Sequence, residues 1–216
     1  QTLIFWKNRL RAKIKFCGYT NLDDAITASK LGADALGFVF YSKSSRFISP
    51  KEANKIIQNL PPFISTVGLF VNQSKSEVEQ AINACPVNLL QFHGDEDELF
   101  CNQYNLPYIK AIPMKSDINL LKCIEDFDSA KALLLDSYSE DTRGGSGKVF
   151  DWKSIPLNPS KPFIVAGGLN PINIKILLEL IDPYGVDVSS GIESRKGLKD
   201  CQLMKEFILG VTNAGV

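Results

Sequence analysis

The chain has 216 residues, 44% of them hydrophobic and 22% charged, and its 24 lysines and arginines are balanced by 24 aspartates and glutamates. That composition allows a sizeable buried core and excludes a general affinity for nucleic acid or for an anionic membrane. No apolar run reaches the ~18 residues of a membrane span, and five scattered cysteines with a single histidine and no C-x-x-C spacing argue against a thiolate–imidazole metal site.

The odd number of cysteines, in mostly apolar settings, reads as reduced thiols in a cytoplasm. Residues 1–11 start apolar and turn basic at Lys7, Arg9 and Arg11, the reverse of a signal peptide. They read as an extension ahead of one domain covering 12–216. Lys13 to Cys17 is the first predicted strand, and it ends on a thiol followed by Gly18. A helix follows from about Asp23 to Leu31, with Asn21 as its N-cap and Gly32 as its stop. Ala35 to Phe40 is a continuous apolar run, as expected of a strand buried on both faces. Ser49-Pro50-Lys51-Glu52 then combines a capping box with proline at the first helical position, and Ala53, Ile56, Ile57 and Leu60 form the apolar stripe.

The unit repeats. Strand 65–71 leads to a second capping box, Ser74 to Glu77, with Val78, Ala81 and Ile82 on one face. Strand 88–92 ends at His93-Gly94, before an acidic helix start at 95–98. Strand 108–112 precedes a weaker helix over 117–124. Strand 132–135 runs into Asp136, and strand 163–166 ends in Gly167-Gly168 before a helix striped by Ile174, Leu177, Leu178 and Ile181. Strand 185–188 ends in Ser189-Ser190-Gly191, and a helix over about 200–209 closes the chain. Eight strand–helix units in this length predict a single α/β domain, a (β/α)8 barrel of the TIM type. A doubly wound open sheet would call for G-x-G-x-x-G after the first strand, and Cys-Gly-Tyr-Thr is not that.

In such barrels chemistry sits at the carboxyl ends of the strands. Cys17 holds that position, where a nearby helix N-terminus is expected to lower its pKa and supply thiolate as base or nucleophile; inert packing is the competing reading. Asp136, at the mouth of an apolar barrel, suits a general acid kept protonated by desolvation, or else a loop cap. Arg46, among serines after the second strand, has the fork to hold a carboxylate at two points, if it is not simply solvated. His93 is the lone histidine, structural or part of the site. Asp187 and Glu193 offer further polar groups at the mouth. Gly167 and Gly168, with Ser189, Ser190 and Gly191, occupy the two loops where these barrels hold a phosphate on backbone N–H groups. Arg143 to Lys148 is glycine-rich, lacks P-loop spacing and reads as a lid or a ligand-approaching loop. The residues alone thus describe a barrel that binds a small phosphorylated molecule and has a thiol and a carboxyl for proton transfer.

Seven blocks add to this: KFCGYTNLDDA, GADALGFVFYSKSSRFISP, VGLFVNQS, LLQFHGDE, LLLDSYSEDTRGGSGKVFDW, VAGGLNPIN and YGVDVSSGIESRKGLKD. In this order they resemble the phosphoribosylanthranilate isomerases of tryptophan biosynthesis over nearly all of the chain past residue 12. The resemblance implies an Amadori rearrangement of N-(5′-phosphoribosyl)anthranilate to 1-(2-carboxyphenylamino)-1-deoxyribulose 5-phosphate. It implies that Asp136 is the general acid that protonates the furanose oxygen, and that Cys17 is the base that takes the proton from C2. Arg46 would hold the anthranilate carboxylate, Gly168, Ser190 and Gly191 the phosphate, and His93 and Asp187 would be polar members of the site. It implies no metal and no organic cofactor. A small phosphoribosyl compound is the expected partner, with neither nucleic acid nor membrane, and a monomer is the default oligomeric state with a homodimer as the other option.

Phe16, Phe92 and Pro113-Met114 depart from the family pattern, in packing or in the pocket near the fifth strand, without touching the acid or the base. Three rival readings stand beside this one. The analogous aminoaldose isomerase of histidine biosynthesis would want an aspartate at Cys17. A non-catalytic phosphosugar-binding barrel would bind without turnover. Indole-3-glycerol-phosphate synthase would need a set of strand-end lysines, of which only Lys110 is a candidate.

Overall fold

The structure, a computed structural model, describes residues 11–137, 149–156 and 159–214. The Arg143–Lys148 loop and residues 1–10 of the expected extension lie outside the described residues. Arg11 lies within them, where its guanidinium donates to Asp34 at 2.6 Å.

Eight parallel strands form a closed ring in sequence order: β1 (Lys13–Cys17), β2 (Ala35–Val39), β3 (Ser65–Phe70), β4 (Leu89–Phe92), β5 (Tyr108–Met114), β6 (Ala132–Ser137), β7 (Phe163–Val165) and β8 (Gly185–Val188). Parallel pairing of β1 with β8, Phe16 opposite Val188, closes it. Successive side chains of a strand point to opposite faces, so each apolar run splits into two sets. Ile14, Phe16, Leu36, Phe38, Leu90, Phe92, Leu133 and Leu135 pack outward with the helices in the main core. Ile109, Ala111, Ala132, Leu134, Ile164 and Ala166 fill the barrel interior, and Val39, Leu69 and Val71 gather beside Cys17 near its mouth.

The helices begin where the caps are. Asn21 accepts from the Asp24 N–H to open α1 (Leu22–Leu31), which Gly32 closes. Both predicted capping boxes form, Ser49 with Glu52 on α2 (Pro50–Ile57) and Ser74 with Glu77 on α3 (Lys75–Ala84); a cap of this kind contributes about 1 kcal/mol. Asp97, Asn119 and Asp200 cap α4 (Glu98–Asn102), α5 (Leu120–Asp126) and α7 (Cys201–Asn213), while α6 spans Ile174–Leu180.

The helix expected at about 200–209 is α7, and two of the connections hold elements that the eight strand–helix units did not signal. Between β6 and β7 the described residues hold only a 3-10 turn, Trp152–Ser154. After β8 a short antiparallel hairpin, β9 (Glu193–Arg195) and β10 (Leu198–Lys199), comes before α7. Segments that short and charged carry no periodic signal in the sequence. The acidic stretch at 95–98 also divides. Glu98 starts α4, but Glu96 is buried and accepts from the N–H groups of Asn72 (2.7 Å) and Gly94 (2.9 Å) and from Lys110 Nζ (3.0 Å). A buried carboxylate needs such donors, and here they come from β3's end, the β4 turn and β5.

The unusual aromatics serve this outer layer. Phe16 meets Phe207 edge-on at 5.9 Å, and Phe92 sits among Phe70, Phe100, Tyr104 and Tyr108, each 5.8–6.0 Å away. Phe92 is fully buried, so Phe92→Ala is expected to cost about 3–5 kcal/mol. The check is the denaturant midpoint of unfolding, which falls, while activity under native conditions persists because the ring faces away from the mouth.

Candidate active site

The inward positions at the carboxyl ends of the strands open into a cavity of about 570 Å³. Cys17, Arg46, His93, Asp136, Gly167, Gly168, Asp187, Ser189 and Ser190 all line it. All the described candidate site residues but Gly191 and Glu193 are therefore brought together. Gly191 lies just beneath, packed so closely on the β7 loop that a Cβ there would stand 1.9 Å from the Leu169 carbonyl oxygen. Only glycine lets the two loops touch. The β7 loop is further fixed by Asn173, whose Nδ2 donates to the Gly168 carbonyl at 2.9 Å and whose Oδ1 accepts from the Asn170 N–H at 2.9 Å. A larger groove of about 830 Å³, lined by residues of α2, α3 and the loops after β2 and β3, has neither thiol nor aspartate in its walls.

Cys17 ends β1 with its side chain inward. Lys15 is the previous inward residue of the same strand and donates to Asp187 Oδ1 at 2.9 Å, both side chains being almost wholly buried. The thiol and this ammonium both hang over Gly37 of β2, within 2.8 Å and 3.2 Å of where a Cβ would stand. Burial pushes the Cys17 thiol up from its ordinary range, against Lys15 and Lys199, which pull it down, and with Asp187, which adds to the rise. The expected lowering by a helix N-terminus is thus corrected: desolvation outweighs the cations. Burial also opposes the charge on Lys15, but Asp187 and then Cys17 overcome it and hold the ammonium above its ordinary range. Lys15 is the largest of the charges that oppose the rise of the Cys17 thiol. Cys85 and Cys101, by contrast, are buried packing thiols pushed up to about 11 and about 12.

The ends of β1 and β8 are tied together by Lys199. Its side chain is fully buried and donates to the carbonyls of Cys17 (2.6 Å) and Ser189 (3.2 Å) and to Glu193 Oε1 (2.9 Å). Glu193 in turn accepts from Arg46 at two points, Nε at 2.7 Å and Nη2 at 2.8 Å. That bidentate contact outweighs burial and raises the guanidinium's pKa further, and it leaves the Nη1 end of the fork without a partner among the described residues. A ligand carboxylate approaching Arg46 is met by that end. Burial works against the Glu193 charge, yet Arg46 and Lys199 hold its pKa below the ordinary carboxylate range.

Across the mouth, Asp136 ends the inward row of β6. His93 Nε2 lies 3.0 Å from Asp136 Oδ2, and His93 Nδ1 lies 2.9 Å from Gln91 Nε2. The lone histidine therefore belongs to the cavity and not to the packing. Sequence reasoning missed Lys15, Gln91 and Lys199 as members of this set. Their signal was a polar residue at an inward position of an otherwise apolar strand, or beside one. Among the described residues no cluster of histidine, cysteine, aspartate and glutamate is arranged to hold a metal ion, and no helix is long and apolar enough to cross a membrane.

The family model for N-(5′-phosphoribosyl)anthranilate isomerase matches residues 14–209. A curated relative of that name from Nitrosomonas eutropha is 46% identical over 202 residues, covering 94% of this chain and 97% of its own. Another from Legionella pneumophila is 47% identical over 204 residues, covering 94% and 99%. The crystal structure of phosphoribosyl anthranilate isomerase from Thermotoga maritima superposes with a TM-score of 0.87 at 36% identity, covering 94% and 99% of the two chains. A structure of such an isomerase in complex with reduced 1-(o-carboxyphenylamino)-1-deoxyribulose 5-phosphate has a TM-score of 0.82 at 34% identity, with the same coverage.

Proposed function

The chain belongs to the phosphoribosylanthranilate isomerase family, and from that premise we infer how the mouth of its barrel performs the reaction. The activity is the isomerisation of N-(5′-phosphoribosyl)anthranilate to 1-(2-carboxyphenylamino)-1-deoxyribulose 5-phosphate, in tryptophan biosynthesis. One observation carries the assignment of residues. The strand order around the ring is β6, β7, β8, β1. Asp136 and Cys17 therefore flank the two loops proposed to hold the phosphate. A phosphate seated on Gly168, Ser190 and Gly191 suspends the ribose between the carboxyl and the thiol.

Asp136 gives its proton to the furanose oxygen as the C1–O bond breaks. The anthranilate nitrogen supplies the electron pair and becomes a protonated Schiff base. Cys17, as thiolate, removes the proton from C2. Those electrons form the C1–C2 double bond and neutralise the nitrogen, giving an enolamine that tautomerises to the C2 ketone. One group must begin protonated and the other deprotonated, which is why a carboxyl and a thiol in separate surroundings suit the work. Lys15 neutralises the thiolate and is itself held by Asp187. Arg46, steadied by Glu193, receives the anthranilate carboxylate.

We also take residues 12–216 as the catalytic unit, with 1–11 outside the chemistry, and the enzyme as a cytoplasmic monomer. The monomer is supported by the most exposed large apolar side chains, Phe63, Leu99 and Ile172, which come from three separate segments. A single peak at monomer mass in light scattering is the expected result.

The activity is tested with substrate made in place from anthranilate and phosphoribosyl pyrophosphate, whose fluorescence decays as it is consumed. The expected result is decay at a rate proportional to enzyme. Saturable binding with no decay would contradict it and favour a phosphosugar sensor. In the same assay Arg46→Met is expected to raise KM by about 10- to 100-fold, the equivalent of a lost charge-assisted hydrogen bond, with a smaller effect on kcat. Glu193→Gln, which leaves Arg46 charged but less firmly held, moves KM the same way by less.

A further inference from the structure

We propose that Gln91 is a positioning residue that governs the proton shared by His93 and Asp136, by turning its amide. The proposal rests on the reading of Asp136 as the general acid. Gln91 is the inward residue of β4 next to His93, and it is fully buried. Its Nε2 lies 2.9 Å from His93 Nδ1, and its Oε1 is buried with no hydrogen-bond partner among the described residues. A buried carbonyl of this kind leaves a cost of desolvation unmet and calls for an explanation.

Proton bookkeeping supplies it. An amide nitrogen only donates, so in the arrangement described Nδ1 of His93 must be bare. The neutral imidazole then carries its hydrogen on Nε2 and donates it to Asp136 Oδ2, 3.0 Å away. With the 3.0 Å contact made by Nε2–H, no second proton lies between Asp136 and His93. The proposal places the acid's proton in that same contact, on Asp136 Oδ2 facing a bare Nε2 or on an imidazolium. In either form Nδ1 carries hydrogen. It can no longer face an amide N–H. A half-turn of the Gln91 amide, which hardly changes its shape, sets the orphaned Oε1 on Nδ1–H instead. The amide thus offers a donor to the spent pair and an acceptor to the loaded one, and each protonation state of Asp136 has its own orientation of Gln91.

Other charged and titratable groups share the cavity: Cys17 from β1, Asp187 from β8 with its partner Lys15, Tyr41, Lys43 and Arg46 from the β2 loop, and Lys196 from the hairpin. On β5, between β4 and β6, Lys110 is committed to Glu96 and the Gly94 carbonyl. None of these is within hydrogen-bonding distance of the His93 ring; among the described residues only Gln91 and Asp136 are.

Because the chain has one histidine, the ring nitrogens of His93 can be followed without assignment in the untagged full-length protein. The experiment records their 15N shifts against pH in wild type, Gln91→Glu, Gln91→Met and Asp136→Asn, beside the pH profile of kcat/KM. Wild type is expected to carry hydrogen on Nδ1 through the active range and to pass to the Nε2–H tautomer along the alkaline limb of the profile. Gln91→Glu, an acceptor only, is expected to hold Nδ1–H to higher pH and to move that limb up. Gln91→Met, with neither group, moves it down and lowers kcat at neutral pH by about 10-fold or more, within the range for a general-acid step, with KM little changed. The proposal is overturned if wild type shows the Nε2–H tautomer throughout its active range, or if both Gln91 variants fold and leave the limb in place. The shifts need no turnover. A failure of Asp136 as the acid is therefore read separately, as retained activity in Asp136→Asn.

Discussion

Asp136→Asn is expected to lower kcat by about 10²–10⁴-fold, the usual contribution of a positioned general acid, with KM little changed. Asparagine keeps the shape of the side chain and can still accept from His93 Nε2 across the 3.0 Å contact, so folding and substrate binding survive. What is lost is the proton for the furanose oxygen. Without it the ring must open to an alkoxide beside the apolar rows of β5 and β6. The alkaline limb of the pH profile, which belongs to the loss of that proton, should vanish with the carboxyl. Steady-state kinetics against pH, with a thermal melt to confirm folding, check both statements.

Removing the base should cost as much. Cys17→Ala is expected to lower kcat by about 10²–10⁴-fold, with the substrate still held at Arg46 and at the phosphate loops. The pH dependence can be given a sign. Burial raises the thiol and Lys15 opposes the rise, while the reaction needs the thiolate. Activity therefore grows as pH climbs toward the thiol's pKa. Lys15→Met takes away the largest opposing charge, so the rising limb of kcat/KM should move to higher pH. That variant also strands the buried Asp187 carboxylate, a loss of about 3–5 kcal/mol. The comparison therefore belongs at a temperature where Lys15→Met is folded, and the limb position is the readout that mere destabilisation would not shift. If the limb of wild type does not respond to Lys15 in a folded variant, the ammonium is structural and the thiolate is balanced by something else.

The barrel was legible because each level of the sequence agreed. Capping boxes at Ser49 and Ser74 and the Asn21–Gly32 bracket marked helices, and apolar runs marked strands buried on both faces. The carboxyl ends of those strands then named Cys17, Asp136 and the glycine and serine loops. Less legible were the groups whose meaning depends on who faces them. Lys15 reads as an ordinary charged residue until the β1–β8 pairing sets it opposite Asp187. Glu193 was visible only as a polar group at the mouth, because its two partners, Arg46 and Lys199, are fixed by tertiary contact and not by spacing. Glu96 looked like a helix-start acid and proved to be a buried anchor for Lys110. The thiol's pKa was misjudged for the same reason: a helix terminus is a local feature, whereas desolvation is a property of the closed ring.

The proposed catalysis divides the labour: Asp136 opens the ring and Cys17 then takes the C2 proton. Rapid quenching of a single turnover with borodeuteride tests it most directly, because deuterium is added at C1 of the open-chain Schiff base and at C2 of the ketone product. The expected result is C1 label above the enzyme-free control in Cys17→Ala, no such excess in Asp136→Asn, and C2 label in wild type. Equal C1 label in the two variants, or an excess in Asp136→Asn alone, would contradict it.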